Sequence, residues 1–481
     1  MCPGSLVYYA KNKRFRWVDC QFVAIKKCCT LARLKATLSS LPTTLEETYE
    51  RIVSSIDPED IEDAERILVW LCYSLRSLTL FEIAEALAID VVDSNFYDDR
   101  RLAEVADVLN ICPNFVVQTL LKNDDPQDPV LKAGTTIIRL AHASVKDFLL
   151  ARHPRIGKLQ LLDLHPIRAH RVIANSCLTY LLHFERLGLL SAETKGAYPL
   201  ASYASAYWAY HQNRAGEDET LTNLALEKLS FKCGSSLMGA CFFQEEDGGK
   251  VQEIYSNLAF DLSNGDTPPA IISASYLGLQ FVVQRLLQTS PDLANSSWIA
   301  WKESPTSLQA ACSQESSEVI RMLLKAGADV NFCGGTYGTA LGLACATRSL
   351  SAVHVLLECN ANVNIPVPTG RFKDWTPLYW AVLRHDHVIV SLLLEHGADP
   401  ISSEDDSALT PLHLAAGSSN FAAIKSLILA GGNLWRPTPT KSISLWGFFD
   451  LESLVERIDD LSPFEILTHQ IYLEELEVRT P

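Results

Sequence analysis

The sequence predicts a mainly α-helical chain, in which a helical half containing one strand pair precedes an α-solenoid. Apolar residues recur at helical spacing through most of the first half. The second half repeats itself at intervals of 33 to 37 residues. A length of 481 residues exceeds one ordinary core, and 48% hydrophobic with 20% charged content describes a globular chain. A net charge of −16 argues against a nucleic-acid or anionic-membrane surface and favours protein or small-molecule partners. No stretch approaches the roughly 18 uninterrupted apolar residues that span a bilayer. The opening "MCPGSLVYYAKNKRFRW" has too short an apolar run for a secretory signal. The 13 cysteines are scattered with no C-x-x-C pair, so no disulfide frame or zinc site is expected. Reduced thiols in a cytoplasmic setting are expected instead.

The first elements run from Leu41, in "LPTTLEETYERIVSSIDPEDIEDAERILVWLCYSLRSLTLFEIAEALAID". Thr43 or Thr44 caps a helix with Leu45, Tyr49, Ile52 and Val53 on its apolar side. A second helix spans about Ile61 to Ser74, with Ile67, Leu68, Leu71 and Cys72 inward. Thr79 starts a third, continued by Ile83, Ala84 and Leu87. "RRLAEVADVLNIC" places Leu102, Val105, Ala106 and Leu109 on one face of a further helix. "NFVVQTLL" and "TIIRLAH" read as strands, so helices followed by a ribbon give winged-helix order. The strand ends at His142, where "HASVKDFLL" begins a helix. Ser144 is expected to accept a backbone N–H there, with Asp147 answering from the first turn.

Four of these stretches, "FRWVDCQF" at Phe15, "LPTTLEETYERI" at Leu41, "LRSLTLFEIAEALAID" at Leu75 and "RLAHASVKDFLL" at Arg139, resemble the region after the nucleoside-triphosphatase core of NACHT-type signalling ATPases, particularly those of filamentous fungi. Ser77 stands where that family usually has Pro. The helical "ANSCLTYLL" at Ala174 and "YPLASYASAYWAYH" at Tyr198 resemble the segment that follows. The resemblance implies that His142 lies where the family's winged-helix histidine approaches the diphosphate of bound ADP. Binding a triphosphate also needs a Gly-rich loop whose backbone N–H groups surround the phosphates. No G-x-x-x-x-G-K-[ST] occurs here, and "DGGKVQEIY" at Asp247 lacks the first Gly and the Ser/Thr. His142 is therefore expected as a retained fold residue, a vestigial nucleotide-sensing position, and no cofactor is expected.

In the second half, "PAIISASYLGLQ" at Pro269, "TSLQAACSQESSEVIRMLLKAGADVN" at Thr306, "TALGLACATRSLSAVHVLLECNANVN" at Thr339, "TPLYWAVLRHDHVIVSLLLEHGADP" at Thr376 and "TPLHLAAGSSNFAAIKSLILAGGN" at Thr410 align. They resemble ankyrin repeats over roughly Asn264 to Trp435. Thr410 caps a first helix while Pro411 takes N1, where a missing N–H costs nothing, and Thr376 with Pro377 is expected to do the same. Leu323/Leu324, Leu356/Leu357 and Leu393/Leu394 turn the second helices towards their neighbours. Gly327, Gly397 and Gly431 end those helices in the left-handed conformation, and Asn360 fills that slot once. His413 is expected to bond back to its own helix start. The lengthened hairpins carry Trp298, Trp301, Phe332, Tyr337, Phe372 and Trp375, and the fourth first helix adds Tyr379 and Trp380. Any one of these is also explained by gap filling. As a group they are the candidate protein-binding residues, because large aromatics anchor interfaces.

No G-x-S-x-G, H-E-x-x-H, EF-hand or G-x-G-x-x-G motif is present. His385 and His387 read as a solvated turn rather than a metal pair, since no third ligand stands near them in sequence. In "YDDRRLAEVADVL", Arg100 and Arg101 are outweighed by Asp98, Asp99, Glu104 and Asp107, which disfavours phosphate. The expected organisation is 1–55, a helical remnant of the end of a NACHT domain; 56–160, a winged helix; 161–263, a helical segment; 264–436, about five ankyrin repeats; and 437–481, a tail. The tail's periodicity fits either a cap on the last repeat or a replacement for further repeats. The reading is a non-enzymatic interaction scaffold with a protein partner, no nucleic acid, no membrane, and association with NACHT-containing relatives. The alternatives are an NTPase component completed in trans or by an upstream segment, and a winged-helix DNA-binding regulator.

Overall fold

The computed structural model describes Lys26 and residues 30–120, 135–151, 157–188, 198–230, 269–298, 306–313, 316–401, 409–418 and 420–433. Trp301, the "DGGKVQEIY" run and the tail 437–481 lie outside these. The chain divides into two compact units, in the main Met1–Lys228 and Glu245–Pro481.

In the first unit, helices α1 (Leu31–Ser39), α2 (Leu45–Ser54) and α3 (Ile61–Tyr73) lead to strand β1 (Leu78–Thr79) and helix α4 (Leu80–Leu87). Thr44 caps α2 through Glu47 N, and Thr43 binds the Glu47 carboxylate, so the two threonines divide the expected task. Thr79 and Glu82 form a complete capping box on α4. The Glu82 carboxylate also forks onto buried Arg76, at 2.5 and 3.1 Å. Burial opposes the Arg76 charge, but Glu82 overrides it and its pKa is raised. At the other end of α4, the Arg66 guanidinium donates to the carbonyls of Ala86, Leu87 and Ile89, satisfying oxygens that the last turn leaves unpaired.

A short hairpin follows, β2 (Ile89–Asp90) with β3 (Asn95–Phe96). The helix expected over "RRLAEVADVLNIC" is broken. It consists of 3-10 turns at Asp98–Arg100 and Val105–Asp107, then α5 (Val108–Ile111). Arg101 is held extended between Glu85 (2.8 Å) and Asp98 (2.7 Å), which interrupts the helix and leaves Ala106 exposed rather than inward. Strands β4 (Val116–Leu120) and β5 (Thr136–Leu140) pair antiparallel, and β1 adds to β5 in the order β1-β5-β4, with Leu78 opposite Ile138. Helix α6 (Ala143–Leu150) closes the winged helix.

Three helices complete this unit: α7 (Pro166–Arg186), α8 (Ala201–Arg214) and α9 (Glu219–Ser230). Between α7 and α8 the buried rings of His170 and His211 meet Nδ1 to Nδ1 at 2.8 Å, with room for one proton between them. His211 Nε2 lies 2.8 Å from the Tyr203 hydroxyl, which accepts from Leu75 N. Burial, then the neighbouring His170 and Arg214, push His211 down to about 3. His170 is lowered by burial first and by Arg214 second.

The second unit stacks helix pairs: α10 (Ala270–Tyr276) with α11 (Gln280–Thr289), α12 (Ser307–Cys312) with α13 (Ser317–Lys325), α14 (Ala340–Ala346) with α15 (Leu350–Glu358), α16 (Pro377–Leu383) with α17 (His387–Glu395), and α18 (Pro411–Gly417) with α19 (Phe421–Leu429). First helices pack on first helices throughout, and among the second helices α11 packs on α13, α13 on α15 and α17 on α19, so repeats cover one another's apolar faces. Gly327, Asn360, Gly397 and Gly431 all adopt positive φ at the second-helix ends. Asparagines tie successive hairpin ends together. Asn295 bonds Asp329 N and Gly327 O (both 2.9 Å), Asn331 bonds Asn362 N (2.8 Å), and Asn364 bonds Asp399 N (2.9 Å) and Gly397 O (3.0 Å). The next such position holds Ile401, 40% exposed and without an amide.

Two outcomes are expected. Glu82→Ala removes a cap acceptor and strands a buried guanidinium, and should cost about 3–5 kcal/mol in chemical denaturation. A loss near zero would show that Arg76 relaxes to solvent. Above about pH 6.5, the ordinary histidine value, the folded and unfolded forms of His211 are both neutral and its contribution to stability is full. As pH falls from there towards 3, the unfolded chain takes up a proton that the folded one refuses, so stability falls. Urea midpoints should drop across that window, and His211→Gln should flatten the slope. An unchanged slope in that variant would place the sensitivity elsewhere.

Candidate functional site

Two places were singled out by sequence, and they sit in different units. In the winged helix, His142 itself is the N-cap of α6: its Nδ1 accepts from Ser144 N at 3.1 Å. Ser144, expected to be the cap with Asp147 answering, is instead buried at 2% exposure. Its hydroxyl bridges His142 Nδ1 (2.6 Å) and the Tyr49 hydroxyl (2.9 Å). A serine placed after the strand's last turn faces α2 rather than its own helix start, so the cap passes to the residue two before it. Because Nδ1 accepts a backbone N–H, the ring proton sits on Nε2. Tyr49 packs against Phe115 and Phe148, with ring centres 5.7 and 5.2 Å apart, so the histidine is tied to the core through Ser144.

In the repeat array the aromatic candidates separate by burial. Trp375 (8%), Tyr379 (2%) and Trp380 (3%) lie in the interior, while Tyr337, Phe372 and Trp298 are half-buried and Phe332 is 38% exposed. Five of them form one cluster. Phe372 meets Trp375 and Trp380 at 4.9 and 4.8 Å, Tyr337 meets Trp380 at 4.9 Å, and Trp375 stacks on Tyr379 at 5.3 Å. Phe332 has no ring neighbour among the described residues.

The local reason lies at the third residue of each first helix. Thr306, Thr339 and Thr410 each cap through the backbone N–H at that position, held by Gln309, Gly342 and His413. Gln309 Nε2 reaches on to Gly334 O and Gly338 O in the next hairpin, and His413 Nδ1 turns back to Thr410, as expected. In the fourth repeat the position holds Tyr379, whose hydroxyl donates to Leu409 O at 2.5 Å. Thr376 then makes no side-chain cap bond, contrary to the sequence expectation, and its hydroxyl is buried without a partner. In the third repeat, Gly342 exists because the Tyr337 carbonyl occupies the space of a Cβ; Trp380 Cδ1 stands 3.6 Å from the same point. The close approach seats Tyr337 over Trp380. The Trp380 Nε1 is buried with no hydrogen-bond acceptor, facing edge contacts with Tyr337 and Phe372.

One member of this face escaped the sequence reading. Arg384, one turn along α16 from Trp380, donates Nε to Ala346 O of the preceding repeat at 2.7 Å. The matching positions hold Thr347 and Ser418, whose hydroxyls bond back to their own helices. Leu277 and Gln314 stand there in the first two repeats, so the position varies from repeat to repeat and only the charge of Arg384 set it apart. His385 and His387 are exposed beside it, and no group of three or more His, Cys, Asp or Glu that could hold a metal occurs among the described residues. No helix among them is long and apolar enough to cross a membrane.

Gly342→Ala should lower stability by about 1–3 kcal/mol, the range for overpacked sites. The measurement is a denaturant titration followed by tryptophan fluorescence. An unchanged midpoint would mean that the Tyr337 carbonyl moves freely.

Comparison with known proteins agrees with this architecture. The ankyrin-repeat family matches residues 270–367 and 367–437. The family described as GPI inositol-deacylase, winged helix domain, matches residues 54–156. A Monascus ruber protein named azaphilone pigments biosynthesis cluster protein L is 30% identical over 304 residues, 62% of this chain and 62% of its own length. The chain thus spans less than two thirds of that relative. An ankyrin-repeat array and a winged helix of the GPI inositol-deacylase type are what these likenesses and the fold establish together.

Proposed function

We propose that the chain is a non-enzymatic scaffold whose ankyrin array holds a protein partner, with the winged helix and helical segment acting as a relay of the kind found in NACHT signalling ATPases. The observation that supports this best is the aromatic cluster at the third and fourth hairpins, where Tyr337 and Phe372 keep accessible faces on a base of buried rings. Such a patch combines large contact area with side chains already held in place, so little conformational freedom is lost on binding. The residues Trp375, Tyr379 and Trp380 support the rings that would touch the partner. In the winged helix, the only α-helical part of the helix expected over "RRLAEVADVLNIC" is Val108–Ile111, and the acidic residues beside it disfavour a nucleic-acid role. The resemblance to NACHT proteins suggests non-self recognition or cell-death signalling in the cytoplasm, with a NACHT-containing relative among the partners.

The test has two arms. Crosslinking of the tagged chain in cells that express it, followed by mass spectrometry, should recover a protein partner that is lost from a folded Tyr337→Ser/Phe372→Ser variant. Equal recovery would reject the aromatic face. Millimolar ATP or ADP with magnesium should leave the melting temperature unmoved, since a ligand that binds only the native state must raise it. A clear rise would replace the scaffold with the NTPase component.

A further inference from the structure

Beyond the rings, the same face carries an unneutralised charge. Arg384 is half-buried, its Nε is committed to Ala346 O, and no carboxylate lies within ion-pair distance among the described residues. Burial lowers its pKa, the nearby Tyr337 hydroxyl works the other way, and Arg348 adds repulsion. Arg348 is itself mostly exposed, at 61%, with one long contact of 3.5 Å to Asp386, which is already engaged in capping α17 through Ile389 N. Within an acidic chain of net charge −16, Arg384 thus lies under the influence of Tyr337 and Arg348 with no carboxylate of its own among the described residues, while Arg348 keeps its one long pair to Asp386. A half-buried cation without a counter-ion is costly to hold, and an incoming anion would relieve that cost. With Nε tied down, the two terminal nitrogens of Arg384 present the fork that matches a carboxylate.

We propose that the face running from Phe372 and Tyr337, over buried Trp380, to Arg384 and Arg348 binds an acidic peptide segment, with an apolar side chain on the Phe372 and Tyr337 rings and a carboxylate on Arg384. Two arginines suit a single carboxylate better than a polynucleotide, whose affinity accumulates over many phosphate contacts and which the overall negative charge repels. This rests on the scaffold reading and names the chemistry of the segment that the scaffold holds.

The experiment uses the full chain and fluorescein-labelled short peptides in anisotropy titrations. The probes alternate Glu with Leu, Lys with Leu, and phosphoserine with Leu, alongside a single-stranded DNA of similar length. The Glu/Leu peptide should bind saturably, more weakly as salt rises, and more tightly than the other three. Arg384→Gln should weaken it by at least about tenfold, equivalent to roughly 1.4 kcal/mol. Should that variant melt early, Arg348→Gln, a change at an exposed side chain, should still weaken binding. The proposal is overturned if the Glu/Leu peptide does not bind, binds no better than the Lys/Leu, phosphoserine or DNA probe, or is unaffected by the arginine changes in folded protein. If the crosslinked partner is lost with the Tyr337/Phe372 variant but kept by Arg384→Gln, the scaffold stands and the acidic segment falls.

Discussion

The start of a helix leaves backbone N–H groups that must find acceptors, and in this chain the way they do so organises both units. A threonine before the first turn takes one N–H, and the residue three positions later becomes free to act elsewhere. Glu82 uses that freedom to fork onto Arg76, and Gln309 to reach the carbonyls of the following hairpin. Gly342 gives way to the Tyr337 carbonyl, while Tyr379 reaches Leu409 although Thr376 makes no side-chain cap before it. A local requirement of the backbone is thereby turned into contacts between elements far apart in sequence. The aromatic face follows from it: had Gly342 carried a side chain, Tyr337 could not lie over Trp380.

The two units solve different problems with related parts. In the winged helix and the helices behind it, polar side chains are sealed inside: Arg66 on three carbonyls, Arg76 with Glu82, His170 with His211, and Lys228 with Glu185. Such networks tolerate little change, because removing one member leaves another buried without a partner. In the repeats no Asp, Glu, Lys or Arg is buried among the described residues; the buried polar groups are hydroxyls with Gln309, His413 and Asn420, and much of the polar bonding lies at hairpin ends and helix starts. Arg384 stands at a first-helix end where the other repeats hold Leu277, Gln314, Thr347 and Ser418.

Much of this was legible in the chain itself. The capping threonines, the helix-ending glycines and Asn360 declared the repeats, because each obeys a rule that operates within a few residues. The β2–β3 hairpin escaped notice because two-residue strands show no periodicity. The break after Arg101 depends on Glu85, a partner sixteen residues away. Thr376 looked like the other caps, yet the tyrosine following it bonds across to the next repeat. For the candidate site, residue type identified the aromatics but could not rank them by burial. Phe372 and Trp380 differ in exposure through the path of a hairpin, not through their own chemistry.

The isoleucine at position 401 has a consequence for how the array comes apart. In a linear stack, stability is close to a sum of each repeat and its seams; the amides of Asn295, Asn331 and Asn364 bridge the first three seams, and the side chain at 401 has no amide to offer the fourth. The Tyr379 hydroxyl, on Leu409 O, and Asn420, whose Nδ2 donates to Val382 O at 3.3 Å, cross that fourth seam. Tyr379 stacks on Trp375 in the aromatic cluster, so whatever occupies that face also bears on the join to the last repeat.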